Sequence, residues 1–272
     1  MFNKCMDLSI VILNYKSKNM VKECLRGIRL VSPQLKYECI VVDNASGDGI
    51  EAMLKSEFPE VNFIASSANV GFAAGNNIGI KKTSGKYIML MNPDIAVFSG
   101  SLEALVKFMD ENLGAGLAGP KLLNPDRSVQ CSAYRFPKKV TPIYRRTVAG
   151  KLPSGVRELE RYLINDWDRV GAREIDWLLG ACLIVRRAAI EEVGLLDERY
   201  FLYFEDTDWC RRFWEKKWKV MYVPSSVMVH FHRRLSAELP LLQSLFNRIT
   251  REHIKSSIKY FFKYRGKDNP RV

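Results

Sequence analysis

The sequence predicts an α/β protein built on a mostly parallel sheet flanked by helices. Two observations carry this expectation. Short apolar runs alternate with helix-period segments through the first hundred residues, and polar residues stand at or just after the ends of those runs. Strands alternating with helices in this way are joined by right-handed crossovers, which makes neighbouring strands parallel.

Leu8 to Leu13 is an apolar run of the length and composition of a strand buried on both faces. Met20, Val21, Cys24, Leu25 and Ile28 then recur at helical spacing. Glu38 to Asp43 is a second buried strand, Val61 to Ala65 a weaker third, and Lys86 to Met91 a fourth. Tyr134 to Arg173 has no clear period, carries Pro137, Pro142 and Pro153, and holds a basic cluster around Lys138, Lys139, Arg145, Arg146 and Lys151. It is expected to be a partly mobile excursion with few buried contacts. Order returns at Trp177 to Val185, a turn leading into a strand, followed by a short helix stopping at Gly194. A second helix is expected over Thr207 to Lys217. The main domain is thus read as residues 1–238, in halves of about 1–120 and 121–238, with 239–272 as a separate C-terminal segment. In that segment Arg248, Arg251, Lys255, Lys259 and Lys263 step by three or four, forming one basic face on an amphipathic helix beside Ile254, Ile258, Phe261 and Phe262. Such a helix reads as a membrane-surface element or as one docked on the main domain.

The chain has 272 residues, is 47% hydrophobic and 26% charged, and can bury a full core without staples. Its 42 Lys and Arg against 30 Asp and Glu give a net charge of +12, which favours an anionic partner such as a nucleotide phosphate, a nucleic acid or an acidic membrane. Six cysteines without a C-x-x-C pair read as buried reduced thiols. No apolar run resembles a signal peptide or reaches the roughly 18 residues of a membrane span, so a cytoplasmic location is expected, with membrane contact at most peripheral.

In open α/β sheets ligands sit beyond the carboxyl ends of the strands, which directs attention to Asn14-Tyr15, Asp43-Asn44, Asn69 to Asn77, and Asn92-Pro-Asp94. A carboxylate at Asp43 can accept from a nucleobase N–H, although an Asp there also commonly caps a helix. The stretch Asn69 to Gly79 is rich in Gly and Asn, but matches neither G-x-x-x-x-G-K nor G-x-G-x-x-G, which disfavours P-loop ATPases and NAD enzymes. Asp94 can give a hard divalent ion one of the one or two carboxylates that such ions use beside phosphates. Glu205-Asp206-Thr-Asp208 follows the aromatic run Tyr200 to Phe204. Adjacent carboxylates under apolar cover titrate apart, leaving one suited to accept a proton; a helix N-terminus enriched in acids is the plain alternative. His230 and His232 would share one face of a strand.

These motifs together resemble the family-two glycosyltransferases of the GT-A fold, a Rossmann-like architecture, and in particular the rhamnosyltransferase-like branch. The matching segments are Val11 to Tyr15, Val41 to Ser46, Asn69 to Phe72 through Asn77 to Gly79, Met91 to Asp94, Trp177 to Arg187, Phe204 to Asp208, and His230, in the family's order over roughly residues 8–236. The resemblance implies a donor side of Asn14, Tyr15, Asp43, Asn69, Gly71, Asn77 and Asn92, with Asp43 on the base. It implies a Mg²⁺ or Mn²⁺ site at Asp94 and His230, a catalytic base at Asp206, and an acceptor side of Trp177, Gly180, Ala181 and Glu205. The implied reaction is an inverting transfer from a nucleotide-diphosphate sugar, dTDP-L-rhamnose being favoured, to a saccharide or lipid-linked acceptor in cell-surface polysaccharide synthesis. Two departures stand out: Asn92 replaces an acid carried by many relatives, and Arg233-Arg234 replace small residues after the histidine. A nucleotidyltransferase on a similar sheet is one rival, though no early basic phosphate-gripping loop is found. A nucleic-acid binder is the other, though no zinc-finger or single-strand-binding signature accompanies the charge.

Overall fold

The computed structural model describes residues 6–231 and 247–271; His232, Arg233, Arg234 and the start of the C-terminal segment lie outside them. The four expected strands are present as β1 (Leu8–Asn14), β2 (Tyr37–Asp43), β3 (Asn62–Ala65) and β4 (Tyr87–Met91). Between them run helices α1 (Lys18–Val31), α2 (Ile50–Glu57) and α3 (Gly71–Ile80). Helix α1 buries Val21, Cys24, Leu25 and Ile28, the positions its sequence period selected, and ends at Ser32 in a left-handed conformation. Helix α3 has no such period because Gly75 and Gly79 lie flat on β1, where a Cβ on Gly79 would come within 2.4 Å of Val11.

The further strands are β5 (Ile95–Val97), β6 (Ala115–Leu123), β7 (Ala133–Tyr134), β8 (Arg173–Glu174), β9 (Trp177–Leu178), β10 (Cys182–Arg186) and β11 (Lys219–His230). The main sheet has nine strands in the order β3-β2-β1-β4-β10-β6-β11-β5, with β8 beside β11, and β7 and β9 pair apart from it. β1 pairs in parallel with β2 and β4, β2 with β3, and β6 with β11. β10 is antiparallel to both β4 and β6, and β5 and β8 are antiparallel to β11. Six strands therefore run one way and three the other, a mixed sheet with a parallel majority.

Helix α4 (Ser101–Glu111) packs on β11 and β6, and α7 (Arg187–Val193) follows β10. Cys24, Cys39, Cys182 and Cys210 are buried free thiols, and burial pushes Cys39 and Cys182 up to about 12.

The 134–173 stretch corrects the expectation of few buried contacts. It forms α5 (Thr141–Tyr144), a 3-10 turn (Val148–Lys151) and α6 (Pro153–Leu163), and it buries Tyr134, Phe136, Tyr162 and Ile164 against the core. Glu158 is its buried pin: it accepts from Thr141 and Arg161, and these cations and hydrogen bonds hold its carboxyl at about 2 against the opposing effect of desolvation. The sequence gives no period here because the elements are short and their apolar faces narrow.

Helix α8 (Glu205–Glu215) starts two residues earlier than expected, which places Glu205 and Asp206 in its first turn. Helix α9 (Arg248–Lys263) docks on the domain through Thr250, Ser256 and Tyr260, and Tyr264 is buried just beyond its end. Its basic residues do not share one solvent face. Lys263 turns inward to Asp197 (2.8 Å) and Asp208, and Lys259 donates to the Arg199 carbonyl (2.6 Å).

Candidate active site

In-register pairing sets Asn14 beside Asp43 at the carboxyl ends of β1 and β2. Asn14 Nδ2 donates to Asp43 Oδ1 (2.8 Å) and to Ser46 Oγ (3.0 Å), while Asn14 Oδ1 accepts from Ser17. Asn14 is thus a buried knot joining two loops. It fixes Asp43, whose Oδ2 accepts from the Ser46 N–H (3.2 Å). Tyr15 follows directly after β1 and is 45% exposed.

Asn44, flagged from the sequence only as a polar strand-end neighbour of Asp43, organises the next loop. It donates to Asn69 Oδ1 (2.9 Å) and to the Gly71 carbonyl (3.1 Å) and accepts from the Val70 N–H (3.0 Å). Gly71 has φ of +90°, and a Cβ there would meet the Phe201 carbonyl at 2.4 Å, so only glycine fits. Asn77 takes a different place from the donor-side one expected. It is buried, donates to the Leu196 carbonyl (2.9 Å) and Glu198 (3.0 Å), and accepts from the Leu196 N–H (3.1 Å), bracing α3 against the 194–200 loop.

From the end of β4 the site continues sideways. The Asn92 N–H donates to the Ala181 carbonyl (2.8 Å), which sets Gly180-Ala181 against Asn92-Pro93-Asp94. The Asp94 carbonyl accepts from the Phe231 N–H (2.9 Å), which brings His230 Nε2 to 3.4 Å from Asp94 Oδ1. A residue missed by sequence reasoning fixes the imidazole: Gln130 Oε1 lies 2.7 Å from His230 Nδ1. Gln130 Nε2 donates to Asn124 Oδ1 (3.0 Å), so the amide presents its oxygen to the histidine and Nδ1 carries the proton. Nε2 is then the ring nitrogen turned toward Asp94. One carboxylate oxygen and one imidazole nitrogen, the latter held by an outer hydrogen bond, make a donor set that fits a divalent cation sharing its remaining positions with phosphate and water. Among the described residues no three His, Cys, Asp or Glu side chains converge to hold a metal. The lone glutamine signals nothing in a sequence, since its partner is 100 residues away.

The acid pair lies on the other side of Gly180. Tyr203 and Phe204 both adopt left-handed backbone (φ of 68° and 67°), a strained entry that aims the first turn of α8. Asp206 Oδ2 accepts from the Gly180 N–H (2.9 Å) and Oδ1 from the Thr207 N–H (2.7 Å). A Cβ on Gly180 would stand 3.3 Å from the Asp206 carboxylate. Burial raises the Asp206 carboxyl above its ordinary value, against those hydrogen bonds. Glu205 goes higher, through burial first and the Asp206 charge second, and its Oε2 is buried without a hydrogen-bond partner among the described residues. One proton is thus held on Glu205 while Asp206, better solvated by backbone donors, is the stronger candidate to accept another. Trp177 is core rather than surface: it stacks on Tyr134 at 4.5 Å and donates to the Arg135 carbonyl (3.0 Å).

Asp43, Asp94 with His230, and Asp206 therefore stand in a row along one edge of the sheet. The model of Glycosyl transferase family 2 matches residues 9–193. The chain belongs to this family. It is a glycosyltransferase of GT-A fold, which selects that reading over a nucleotidyltransferase or a nucleic-acid binder. N-acetylglucosaminyl-diphospho-decaprenol L-rhamnosyltransferase of Mycobacterium tuberculosis is 27% identical over 242 residues, 82% of this chain and 75% of the relative. Rhamnosyltransferase WbbL of Escherichia coli is 22% identical over 264 residues, 94% and 93% of the two chains. Among solved structures, GalNAc-T7 with UDP, GalNAc and Mn²⁺ superposes with a TM-score of 0.62 at 15% identity, over 85% of this chain and 45% of that one. S. aureus TarS 1–349 superposes with a TM-score of 0.54 at 15% identity, over 96% and 76%. Among the described residues no helix is long and apolar enough to cross a membrane.

Proposed function

We propose that this glycosyltransferase is an inverting, metal-dependent rhamnosyltransferase. It transfers L-rhamnose from dTDP-L-rhamnose to a hydroxyl of a saccharide or lipid-linked acceptor in cell-surface polysaccharide synthesis. The single observation that carries the reading is the row of carboxylates: a base-side acid at Asp43, a metal-side acid at Asp94 and a buried acid at Asp206, all held by neighbouring strand ends. The rhamnosyl donor is supported by the names of the relatives from M. tuberculosis and E. coli.

Asp43 accepts from the base N–H and Tyr15 offers a face on which the base stacks. Asn69, Gly71 and Asn92 line the path of the diphosphate, while Asn14, Asn44 and Asn77 hold the loops. Asp94 and His230 would hold Mg²⁺ or Mn²⁺, which when bound neutralises charge on the departing diphosphate. Asp206 takes the proton of the acceptor hydroxyl, and a single displacement inverts the anomeric centre. Gly180 and Ala181 leave room for the acceptor beside Asp206, and Glu205 stays neutral behind it. In this reading residues 1–238 are the catalytic domain, and 239–272 a segment that sets a cytoplasmic enzyme peripherally against an anionic membrane, where a lipid-linked acceptor is presented.

The test combines calorimetry with a transfer assay. dTDP-rhamnose is expected to bind more tightly than UDP-sugars, and both EDTA and Asp94→Ala are expected to abolish transfer. Preference for a UDP-sugar overturns the donor; full activity in chelator overturns the metal.

A further inference from the structure

Fifteen large apolar side chains are exposed among the described residues, and eight of them fall in two short segments. Three lie on α9, where Ile254, Ile258 and Phe262 succeed one another at four-residue spacing and are 39%, 62% and 77% exposed. The other five lie between Val140 and Val156, Ile143 and Val148 among them. Residues 138–157 and 248–263 together hold eleven Lys and Arg and a single acid, Glu252, which is itself paired with Lys255 (2.8 Å). The two segments touch, for Arg146 meets the His253 ring, and the same ring packs against Tyr203 at 4.6 Å.

Solvent-facing apolar residues at helical spacing, flanked by Arg251, Lys255 and Lys259, have the chemistry of a helix lying in a headgroup layer. The basic groups of a soluble partner protein would find a single acid, Glu252, to answer them, and that acid is already paired. We propose that α9 and the 138–157 segment form one continuous surface that docks on an anionic bilayer, with Ile254, Ile258 and Phe262 entering the acyl boundary. This deepens the lipid-linked acceptor reading and rests on it only for what the membrane presents.

The inner side of the same helix gives the surface its use. Ser256 donates to the Leu202 carbonyl (2.9 Å), and Tyr260 packs on Phe204 at 5.3 Å, immediately before Glu205-Asp206. A bilayer against the outer side of α9 therefore lies about one helix diameter, roughly 10 Å, from the strained turn that carries the acid pair. An acceptor anchored in that bilayer arrives on the Asp206 side of the sheet edge, away from the nucleotide loops of β1 and β2.

The experiment is flotation of the full chain with vesicles of phosphatidylcholine alone or mixed with phosphatidylglycerol. Binding is expected only to the mixed vesicles. Arg251→Glu with Lys255→Glu should lower partitioning by at least about thirtyfold, since each cation contributes about fivefold at such a surface. Ile258→Ser with Phe262→Ser, and separately Ile143→Ser with Val148→Ser, should each lower it at least about tenfold. Leu30→Ser with Leu113→Ser, exposed residues outside both segments, should leave it unchanged. All these side chains face solvent, so thermal midpoints and transfer to a water-soluble acceptor analogue stay at the parent level. That keeps a failure of docking distinct from a failure of sugar transfer. Vesicle binding indifferent to both segments overturns the proposal. So does absence of binding together with a dimer that Phe262→Ser dissolves, which assigns the face to a second copy of the chain.

Discussion

Asp206→Asn is the substitution that separates shape from basicity, and the hydrogen bonds around it set what to expect. Both carboxylate oxygens accept from backbone N–H groups, Oδ2 from Gly180 and Oδ1 from Thr207. An asparagine keeps the volume but must turn its NH2 toward one of these donors. The folded state should therefore lose about 1–3 kcal/mol, the cost of a buried group left unpaired. Removing a general base typically slows a reaction by about 10²- to 10⁴-fold, or roughly 3–5 kcal/mol in the barrier. The two effects are read separately: a thermal melt for stability, calorimetry for donor binding, and initial rates at saturating donor for kcat. Donor affinity should be close to normal, because Asp43 and the 69–71 loop are untouched, and kcat should fall by at least about a hundredfold. Glu205→Gln should damage the chemistry less, since burial already holds that carboxyl protonated. The acid limb of the parent pH profile should lie above the ordinary carboxylate value of 3.8, because burial raises Asp206. Retention of most kcat in Asp206→Asn with its loss in Glu205→Gln would move the base by one residue. If neither substitution mattered, the acid pair would have no part in proton transfer.

Two further outcomes follow from the supporting groups. Gln130→Leu removes the acceptor that fixes the His230 tautomer and should raise the metal concentration needed for half-maximal transfer by about 10–100-fold, with kcat at saturating metal nearly kept; an unchanged metal titration refutes the arrangement. Glu158 is ionised far more readily when folded, at about 2 against an ordinary 4.5, so its stabilisation is complete above about pH 4.5 and is lost as pH falls toward 2. Glu158→Gln should therefore flatten the acid side of the melting-temperature profile in that window while leaving neutral catalysis intact.

β1, β2 and β4 were legible because they are buried on both faces and read as unbroken apolar runs, as in Val41-Val42 or Ile88 to Met91. β6 was not, since Gly116, Gly119 and Pro120 interrupt its apolar pattern although the strand is deeply buried. The acids at strand ends could be located because the sheet dictates where ligands sit. Their supports could not: Gln130, Asn44 and the Gly180 N–H act through contacts that no spacing encodes. The basic stripe of α9 was legible as charge, but not as orientation. Lys263 is drawn inward by Asp197 and Asp208, and only the contacts reveal that Ile254, Ile258 and Phe262 are left outside.

The insertion of β10 between β4 and β6 has a consequence for how the protein is made. During synthesis the first hundred residues can assemble β3-β2-β1-β4, but β4 then ends the sheet with a row of unpaired backbone groups along an apolar edge. That edge stays open until the ribosome has delivered Cys182 to Arg186, some ninety residues later, because nothing nearer in sequence fills the slot. A nascent chain stalled before residue 182 is therefore expected to present that edge as a sticky template to its neighbours.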